Sequence, residues 1–410
     1  MPLALLASKK GYVVYGIDTN KERVQSIKDK RSPFLDDDIQ KELNKTKLVA
    51  TTNFSVISEC KIIIICVPTP IDKDKTPNLG LVESACINIS QFIKKGTTII
   101  LESTVNPGVC ESIVMPILEK GSGLKSDKDF YVAHCPERIN PGDKKWNVEN
   151  INRVIGSLSK KGLKIAKDFY TSIISAEIYL MNNLKEAEAV KIVENSFRDI
   201  NIAFVNELAM SFSKLGIDVV NVIKGAETKP FSFLAHYPGC GVGGHCIPVD
   251  PYYLIAHARE NGFNHEFLSL ARKINNNMPK YTVDILTQVL KEKGIDPCNT
   301  KISVLGISYK ANINDYRESP SFDIVDEAKK QGYLVSVFDP YVLEKSTTEN
   351  LDDTLKNSTA VIIATNHKEF TKLTPEFFIK NKIQVIVDGR NCLDKDQFTN
   401  KKIIYKGIGR

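Results

Sequence analysis

The chain has 410 residues, more than one hydrophobic core usually serves, so two or three domains are expected. Its 42% hydrophobic and 25% charged residues are typical of a globular protein and exclude a disordered or collagen-like chain. The net charge of +6 is spread thinly, without a run of basic residues, which argues against nucleic acid as a partner. No apolar run approaches the roughly 18 residues needed to cross a bilayer, and the start is not typical of a secretory signal. We therefore expect a cytoplasmic protein without membrane insertion.

The nine cysteines are scattered along the chain, without CxxC pairs or zinc-type spacing. This pattern indicates a reducing compartment, and no metal site is expected from it. Most of the cysteines lie in apolar surroundings, where a thiol usually serves as a small core residue. A chemical role therefore needs a separate argument for each cysteine.

Short β-rich runs alternate with helical stretches in the N-terminal part of the chain, which is typical of a parallel sheet wrapped by helices. Strands are predicted at residues 12–18, 48–51, 61–68, 97–103, 130–134 and 153–156. Several of these runs are apolar nearly throughout, as expected of strands that are buried on both faces. The pattern predicts a doubly wound, Rossmann-like domain.

Apolar residues recur at helical spacing over residues 184–215, with no proline or glycine between them, which predicts one long helix. Residues 217–228 and 266–293 also have helical patterns. The long helix offers more apolar surface than two flanking domains easily cover, so a homodimer is expected.

A second set of strands follows the helical segments. These strands are predicted at residues 301–305, 334–338, 360–364 and 384–387. The predicted fold class is therefore α/β, with two Rossmann-like doubly wound parallel-sheet domains joined by a long central helix. We expect a nucleotide-binding domain, a helical connector and dimerisation region, and a second Rossmann-like domain at residues 1–183, 184–295 and 296–410.

Asp18 closes the first predicted strand. An acidic residue at this position of a dinucleotide-binding unit holds the adenosine ribose, and a glycine-rich phosphate turn lies about 20 residues before it. Because residues 2–10 have the pattern of the helix that follows such a turn, the turn and its strand would lie upstream of Met1. We expect from this a shortened chain with weak or absent NAD binding. The alternative is that Asp18 only ends a strand.

The strongest chemical signal is the glycine-rich segment 239–251, in which Cys246 precedes Asp250 by four residues. Glycines let the backbone approach a ligand closely, so Cys246 is a candidate nucleophile; the alternative is a buried thiol in a turn. Lys191 and Asn195 are spaced i, i+4 on the predicted long helix and share one face. A lysine and an amide placed side by side can donate to an oxyanion, although such a pair is also common on a solvated helix face.

Six motifs occur in one order along the chain. They are Cys-Val-Pro-Thr-Pro at 66–70, Glu-Ser-Thr-Val at 102–105, Pro-Glu-Arg-Ile-Asn-Pro-Gly at 136–142, Glu-Ala-Glu at 186–188 leading to Lys191 and Asn195, Gly-Gly-His-Cys at 243–246 with Asp250, and Tyr-Lys at 309–310 leading to Arg-Glu-Ser-Pro at 317–320. Together they resemble the UDP-glucose and UDP-N-acetylhexosamine dehydrogenases. The resemblance spans the chain except for the absent start.

The resemblance implies a four-electron oxidation of a sugar C6 alcohol to a carboxylate, with NAD as the cofactor. Cys246 would capture the intermediate aldehyde as a thiohemiacetal, and oxidation would convert this adduct to a thioester. Lys191 and Asn195 would stabilise the oxyanion, and Lys191 is also a candidate proton acceptor. Thr104 and Asp250 would position and activate the water that hydrolyses the thioester.

The resemblance also implies a set of binding residues, and it places Glu137 beside the nicotinamide and the sugar. The residues expected to bind the cofactor are Asp18, Arg23, Val67, Pro68, Thr69, Ser103, Thr104 and Arg317. The residues expected to bind the UDP-sugar are Glu137, Arg138, Lys191, Gly243, Lys310 and Arg390. The guanidinium of Arg390 would bind the UDP phosphates, because its fixed fork matches phosphate oxygens.

The segment after Glu137 departs from the Pro-Glu-Phe-Leu pattern of the glucose-specific enzymes. Arg138, Asn140, Pro141 and Gly142 make it more similar to the N-acetylhexosamine enzymes. The resemblance therefore implies a UDP-N-acetylhexosamine substrate, without separating its gluco, galacto and manno epimers.

The main hypothesis is an NAD-dependent UDP-N-acetylhexosamine 6-dehydrogenase that supplies uronic acid sugars for surface polysaccharide or glycan biosynthesis. The alternative is a truncated, non-catalytic UDP-sugar-binding protein. A third reading, a single-step hydroxyacid dehydrogenase, is disfavoured because a single oxidation has no use for the Cys246 nucleophile.

Overall fold

The structure is a computed structural model that describes residues 1–33, 37–139 and 145–410. The chain forms two compact units. The first unit contains Met1–Glu194 and Tyr252–Phe263, and the second contains Asn195–Pro251 and Asn264–Arg410. The division of the chain into domains at 1–183, 184–295 and 296–410 stays a prediction.

Helices and strands alternate along most of the described chain. The helices are α1 (Pro2–Lys9), α2 (Lys21–Lys28), α3 (Asp37–Lys45), α4 (Gly80–Ser90), α5 (Met115–Ser122), α6 (Lys160–Ile173), α7 (Leu184–Leu215), α8 (Val219–Glu227), α9 (Asp250–Glu260), α10 (Glu266–Glu292), α11 (Pro320–Lys330), α12 (Leu351–Leu355) and α13 (Pro375–Lys380). The strands are β1 (Tyr15–Ile17), β2 (Val49–Thr51), β3 (Ile62–Ile65), β4 (Thr98–Leu101), β5 (Tyr131–His134), β6 (Arg153–Ser157), β7 (Ile178–Leu180), β8 (Lys301–Leu305), β9 (Leu334–Phe338), β10 (Ala360–Ile363), β11 (Val385–Asp388) and β12 (Ile404–Gly407). Among these helices, none is both long and apolar enough to cross a membrane.

The first unit contains a five-stranded sheet of order β3-β4-β5-β6-β7, and β1 and β2 pair in parallel in a separate two-stranded sheet. Strands β3, β4 and β5 run parallel, and β4 and β5 are buried along their whole length. Alternate residues of β4 enter different cores: Ile99 and Leu101 pack with α4 and α5, and Ile100 packs with α1 and α6. Helices therefore cover both faces, as the sequence predicts.

One strand of this sheet differs from the predicted parallel arrangement, because β6 pairs antiparallel with β5. A parallel pair needs a long crossover connection, usually a helix. The described part of the connection between β5 and β6 contains no helix, so β6 returns beside β5 in the opposite direction. The next connection contains α6, and β7 accordingly pairs in parallel with β6.

The second unit contains a five-stranded sheet of order β12-β11-β10-β8-β9, in which all pairs are parallel. One face packs against α10 and α11 through residues such as Leu286 and Ile324, and the other packs against α12 and α13 through Leu355 and Phe378. Parallel sheets are usually covered on both faces in this way. The prediction of a second Rossmann-like sheet is confirmed.

Candidate active site

In the first unit, the carboxyl ends of β3, β4 and β5 lie at one edge of the sheet, where open α/β sheets bind their ligands. Val67, Ser103 and Glu137 follow these three strands in turn. The buried Ser103 hydroxyl donates to the Val67 carbonyl at 2.7 Å. The carbonyl of Thr69 accepts a hydrogen bond from the Tyr253 hydroxyl at 2.9 Å, which fixes the segment after β3. The structure thus brings to one edge of the sheet the residues predicted to line the NAD pocket and Glu137, predicted to lie beside the nicotinamide.

Asp18 follows β1, as the sequence predicts, and its carboxylate pairs with Arg23. The Arg23 guanidinium donates to Asp18 Oδ2 at 2.8 Å, and the Asn20 amide donates to Asp18 Oδ1 at 2.9 Å. A carboxylate oxygen has two lone pairs, so each oxygen can accept a further hydrogen bond from a ribose hydroxyl. Asp18 at the end of β1 and the carboxyl ends of β3 to β5 are both positions at which a Rossmann-like domain binds a dinucleotide.

An ionic cluster lies at the same edge of the sheet. Its members Glu102, Arg153 and Tyr170 are buried, whereas Cys66 is exposed and the Glu137 side chain is 38% exposed. Glu102 accepts a hydrogen bond from the Tyr170 hydroxyl at 2.5 Å and another from the Cys66 thiol at 3.3 Å. Arg153 lies between two carboxylates, 3.4 Å from Glu102 and 3.5 Å from Glu137. Burial raises the pKa of Glu102. Burial alone would lower the pKa of Arg153, but Glu102 and Glu137 raise it above its ordinary value, so the arginine is charged.

Glu137 is held by its own backbone as well as by Arg153. Its Oε1 atom accepts hydrogen bonds from the amides of Arg138 at 2.7 Å and Ile139 at 2.8 Å. The Arg138 side chain instead contacts Glu194 at 2.5 Å. Asn140, Pro141 and Gly142, which carry part of the resemblance to the hexosamine enzymes, lie outside the described residues.

Two further predicted residues of the first unit lie beside these elements. Thr104 follows Ser103 in the segment after β4, and Lys191 lies on α7; both are half-buried. Pro68 is exposed between Val67 and Thr69. The catalytic roles of Thr104, Glu137 and Lys191 stay predictions.

In the second unit, the Cys246 loop brings together three predicted catalytic residues. The carbonyl of Cys246 accepts hydrogen bonds from the amides of Val249 at 3.1 Å and Asp250 at 2.8 Å, forming a turn that leads into α9. Asp250 is 4% exposed, and its carboxylate accepts a hydrogen bond from the Asn195 side-chain amide at 2.5 Å. The Cys246 side chain is half-buried. The Asn195 side chain on α7 therefore holds the carboxylate of Asp250, the residue that begins α9 four positions after Cys246.

The glycines before Cys246 allow its loop to pack against residues 309–320. A Cβ atom on Gly243 would lie 2.7 Å from Tyr309 Cβ and 2.8 Å from the Glu318 carbonyl oxygen. Gly244 has a φ of +87°, which side-chain-bearing residues rarely adopt, and its amide donates to the Arg317 carbonyl at 3.1 Å. Glycines at 243 and 244 therefore allow the loop to pack closely against residues 309–320.

Arg317 and Tyr309 supply the charged and polar surroundings of Cys246. The guanidinium of Arg317 donates to both oxygens of Asp315, at 2.9 and 2.6 Å, and interacts electrostatically with Cys246. Tyr309 also interacts with Cys246, and burial raises the pKa of its hydroxyl. A neighbouring cation stabilises a thiolate, the nucleophilic form of cysteine.

Arg390 reaches the Cys246 loop from the end of β11. Its Nε donates to the Ala364 carbonyl at 2.8 Å and its Nη1 to the Gly241 carbonyl at 3.3 Å. Next to it, the Cys240 amide donates to the Gly389 carbonyl at 2.9 Å. Part of the guanidinium predicted to bind phosphate therefore holds the glycine segment in place.

Lys310 lies in the segment after β8, and a buried carboxylate holds the start of that segment. Asp339 accepts hydrogen bonds from the amides of Ile307 at 2.6 Å and Ser308 at 2.8 Å, and contacts His367 Nε2 at 2.9 Å. Burial alone would raise the pKa of Asp339, but these hydrogen bonds lower it to about 2. The carboxylate is therefore ionised at neutral pH.

The sequence did not predict a polar network that holds Gly239, at the start of the segment leading to Cys246. The Gly239 amide donates to the Asn206 side chain at 2.9 Å, and Asn206 donates to Asn275 of α10 at the same distance. Asn275 in turn donates to Asp199 at 2.8 Å, and Arg272 pairs with Asp199 at 2.5 Å. Asp199 and Asn206 are spaced i, i+7 on α7, so two polar residues on one helix face were the available signal.

Models of one family match most of the chain. The UDP-glucose/GDP-mannose dehydrogenase family is matched by its NAD binding domain over residues 1–174, its central domain over residues 185–277 and its UDP binding domain over residues 303–395. Among relatives, a UDP-N-acetyl-D-mannosamine dehydrogenase of Pyrococcus horikoshii is 34% identical and covers 100% of this chain and 96% of its own length. A UDP-N-acetyl-D-glucosamine 6-dehydrogenase of Pseudomonas aeruginosa is 35% identical, with 97% and 95% covered.

Solved structures of similar proteins agree with the fold. A UDP-D-ManNAc dehydrogenase from Pyrococcus horikoshii superposes with a TM-score of 0.94 at 34% identity, covering 100% of this chain and 96% of that one. An NDP-N-acetyl-D-galactosaminuronic acid dehydrogenase from Methanosarcina mazei Go1 superposes with a TM-score of 0.87 at 30% identity, covering 100% and 92%.

Proposed function

Because this chain belongs to the UDP-glucose/GDP-mannose dehydrogenase family, we propose that it oxidises the C6 hydroxyl of a UDP-N-acetylhexosamine to a carboxylate through a covalent Cys246 intermediate. The observation that carries the proposal is the arrangement of Cys246, Asp250 and Asn195, in which a half-buried thiol and a buried, hydrogen-bonded carboxylate share one turn. The NAD-binding domain identifies the enzyme as an NAD-dependent oxidoreductase.

The four-electron oxidation of C6 would consume two molecules of NAD, each of which would take up one hydride. Asp18 and Arg23 would hold the adenosine ribose of NAD, and Val67, Thr69 and Ser103 would line its path at the carboxyl ends of β3 and β4. Pro68, Thr104 and Arg317 complete the proposed cofactor contacts. Support for these assignments comes from the Asp18–Arg23 pair and the bond between Ser103 and Val67.

The first oxidation yields an aldehyde at C6, and the Cys246 sulfur adds to its carbonyl carbon to give a thiohemiacetal. Lys191 and Asn195 would donate to the developing oxyanion, and Lys191 would accept the proton of the C6 hydroxyl. The second oxidation converts the thiohemiacetal to a thioester. Water then attacks the thioester carbon, releasing the carboxylate and returning the thiol. Asp250, with Thr104, would orient that water and accept its proton.

The substrate contacts are proposed to come from two parts of the chain, residues 137–191 and residues 243–390. Glu137, Arg138 and Lys191 would face the sugar, and Gly243, Lys310 and Arg390 would contact the sugar or the UDP phosphates. The UDP binding domain matched over residues 303–395 supports the assignment of the nucleotide part. A role in surface polysaccharide or glycan biosynthesis is proposed with it, in the cytoplasm.

The proposal is tested by following NADH absorbance with NAD and a panel of UDP-sugars. We expect turnover with a UDP-N-acetylhexosamine, little with UDP-glucose, and a uronic acid product by mass spectrometry. If UDP binds but no UDP-sugar is oxidised, the alternative of a non-catalytic UDP-sugar-binding protein takes the place of the enzyme.

A homodimer is proposed from the exposed apolar residues of α7. On the part of this helix in the second unit, Phe197 and Phe204 are 48% and 54% exposed and are spaced i, i+7, so they share one face. Large apolar side chains aligned on one helix face are typical of a protein interface.

A further inference from the structure

A second cluster of reactive side chains lies in the core of the first unit, apart from the ionic cluster of Glu102. Cys110, His134 and Glu188 are all fully buried, and one ligand atom from each lies within 4.8 Å of the other two. Cys110 begins a π-helical turn, His134 ends β5, and Glu188 lies on α7. The mechanism proposed above uses none of the three.

His134 indicates that the cluster binds a ligand, because a buried polar group without a partner is costly and rare in native proteins. Its ring is 0% exposed, and neither ring nitrogen has a hydrogen-bond partner within the described parts of the chain. A neutral imidazole keeps a lone pair on one ring nitrogen. A neutral imidazole nitrogen is a common metal ligand.

The other two groups complement this imidazole. Cys110 and Glu188 are both fully buried, and the Cys110 thiol donates a hydrogen bond to the Glu188 carboxylate. A divalent cation bound by a thiolate, a carboxylate and a neutral imidazole would give a site without net charge, which reduces the electrostatic cost of burying the two acidic groups. Sulfur, nitrogen and oxygen donors together are typical of zinc sites.

The hydrogen bonds that Glu188 already makes are compatible with a metal. The Gly108 amide donates to Glu188 Oε2 at 2.5 Å and the Cys110 amide to Oε1 at 2.8 Å. The Cys110 thiol also donates to this carboxylate, and loss of the thiol proton on metal binding would leave one lone pair on each oxygen for a cation. Ligating carboxylates in proteins are usually held by such hydrogen bonds, which fix their orientation.

We propose that Cys110, His134 and Glu188 bind one zinc ion, which ties the segment after β4, the end of β5 and the start of α7 into one rigid element. Lys191 lies three residues after Glu188 on α7, and Thr104 lies six residues before Cys110. The ion would therefore hold two of the proposed catalytic segments in register without contacting the substrate. The fourth ligand would be a water or a backbone oxygen, since a zinc ion is usually four-coordinate.

Metal content gives the first test, and it does not depend on any activity. Untagged protein from zinc-supplemented medium, measured by inductively coupled plasma mass spectrometry, should contain about one zinc per chain. Cys110→Ser and His134→Gln should each reduce this content at least tenfold. Cys86→Ser is the matched control: Cys86 is another buried thiol of the same core but is not part of the cluster, and it should leave the zinc content unchanged.

A second measurement on the unsubstituted protein avoids variants that fail to fold. Removal of the metal by a chelator should lower the Tm, and added zinc should restore it. Cobalt in place of zinc should give a thiolate-to-cobalt charge-transfer band. Zinc content below about one-tenth per chain, together with an unchanged Tm on chelation, would overturn the proposal and leave a buried water as the partner of His134. Because neither readout needs turnover, the inference and the proposed function fail independently.

Discussion

Single charged residues in the core of the first unit determine how the proposed site is held. Arg153 is the cation between Glu102 and Glu137, and its own side chain is fully buried. Removing one partner of a buried ion pair costs far more than removing an exposed one, because a charge is then left without compensation. Arg153 is therefore the residue whose loss should disturb Glu137 most.

We expect Arg153→Gln to lower the free energy of unfolding by about 3 kcal/mol, measured by urea unfolding. Adding Glu102→Gln should recover part of this loss, because the second change removes one of the two carboxylates left facing each other. The control Lys164→Gln removes an exposed pair with Asp168 and should cost less than about 0.5 kcal/mol. Equal losses for Arg153→Gln and Lys164→Gln would contradict the buried ion pairs of Arg153.

Asp339 predicts a dependence of stability on pH. Its pKa is about 2 in the folded chain against 3.8 as the ordinary value, so the unfolded chain binds more protons between these two values. Stability is fully present above pH about 4 and is lost as pH falls toward about 2. Between pH 5 and about pH 3, wild type should lose about 1 kcal/mol more than Asp339→Asn in urea unfolding. A constant difference between the two proteins would contradict the low pKa.

At the scale of elements, the position of Cys246 depends on how its loop packs against residues 309–320. Gly243 leaves no room for a side chain there, since a Cβ atom would lie 2.7 Å from the Tyr309 side chain and 2.8 Å from the Glu318 carbonyl oxygen. Gly225, in α8, is the natural comparison, because a Cβ atom there would meet nothing within 4 Å.

We expect Gly243→Ala to lower kcat at least about tenfold by displacing the Cys246 loop, since small misplacements of catalytic groups are costly. Circular dichroism should show the fold retained. Gly225→Ala should leave kcat unchanged and stabilise the protein by up to about 1 kcal/mol, because alanine favours a helix interior over glycine. Full activity in Gly243→Ala would mean that the loop has room that the structure does not show.

Elements with a strong local pattern could be predicted from the sequence. The apolar spacing gave α7 its observed bounds, Leu184–Leu215, and the runs at 301–305 and 334–338 match β8 and β9. The antiparallel pairing of β6 could not be predicted, because it depends on which strand lies beside it after folding. The short strands β7 and β12 were missed as well, since each is mostly unburied and carries little periodicity.

The same contrast holds for the site. Cys246 and Asp250 are only four positions apart, so the sequence shows them together, whereas the bond between Asn195 and Asp250 joins residues 55 positions apart. Glu102 and Arg153 are separated by 51 positions, and their pairing depends on the order of β4, β5 and β6 and on the antiparallel direction of β6. Cys110, His134 and Glu188 have no spacing typical of a metal site, which is why the sequence predicted none.

At the scale of the whole molecule, each unit has its own doubly wound sheet, and each supplies part of the residues that the proposed function needs. The first unit carries Asp18, Ser103 and Glu137, and the second carries Cys246 and Asp250. The proposed oxidation calls on residues of both sets.

The proposed homodimer leads to a prediction for α7. Phe204→Glu should convert the dimer to a monomer in sedimentation velocity at micromolar concentration, because a charge on an apolar interface is costly to bury. Leu343→Glu is the control: Leu343 is 56% exposed on the turn Leu343–Lys345, outside α7, and should leave the dimer intact. A monomeric wild type would contradict the proposal directly.

A double oxidation through Cys246 fixes the ratio of NADH formed to UDP-sugar consumed. Two NADH are expected for each UDP-N-acetylhexosamine converted, with no aldehyde in solution, and Cys246→Ala should no longer form the acid. One NADH for each sugar consumed, or acid formation at the wild-type rate by Cys246→Ala, would contradict the double oxidation through Cys246.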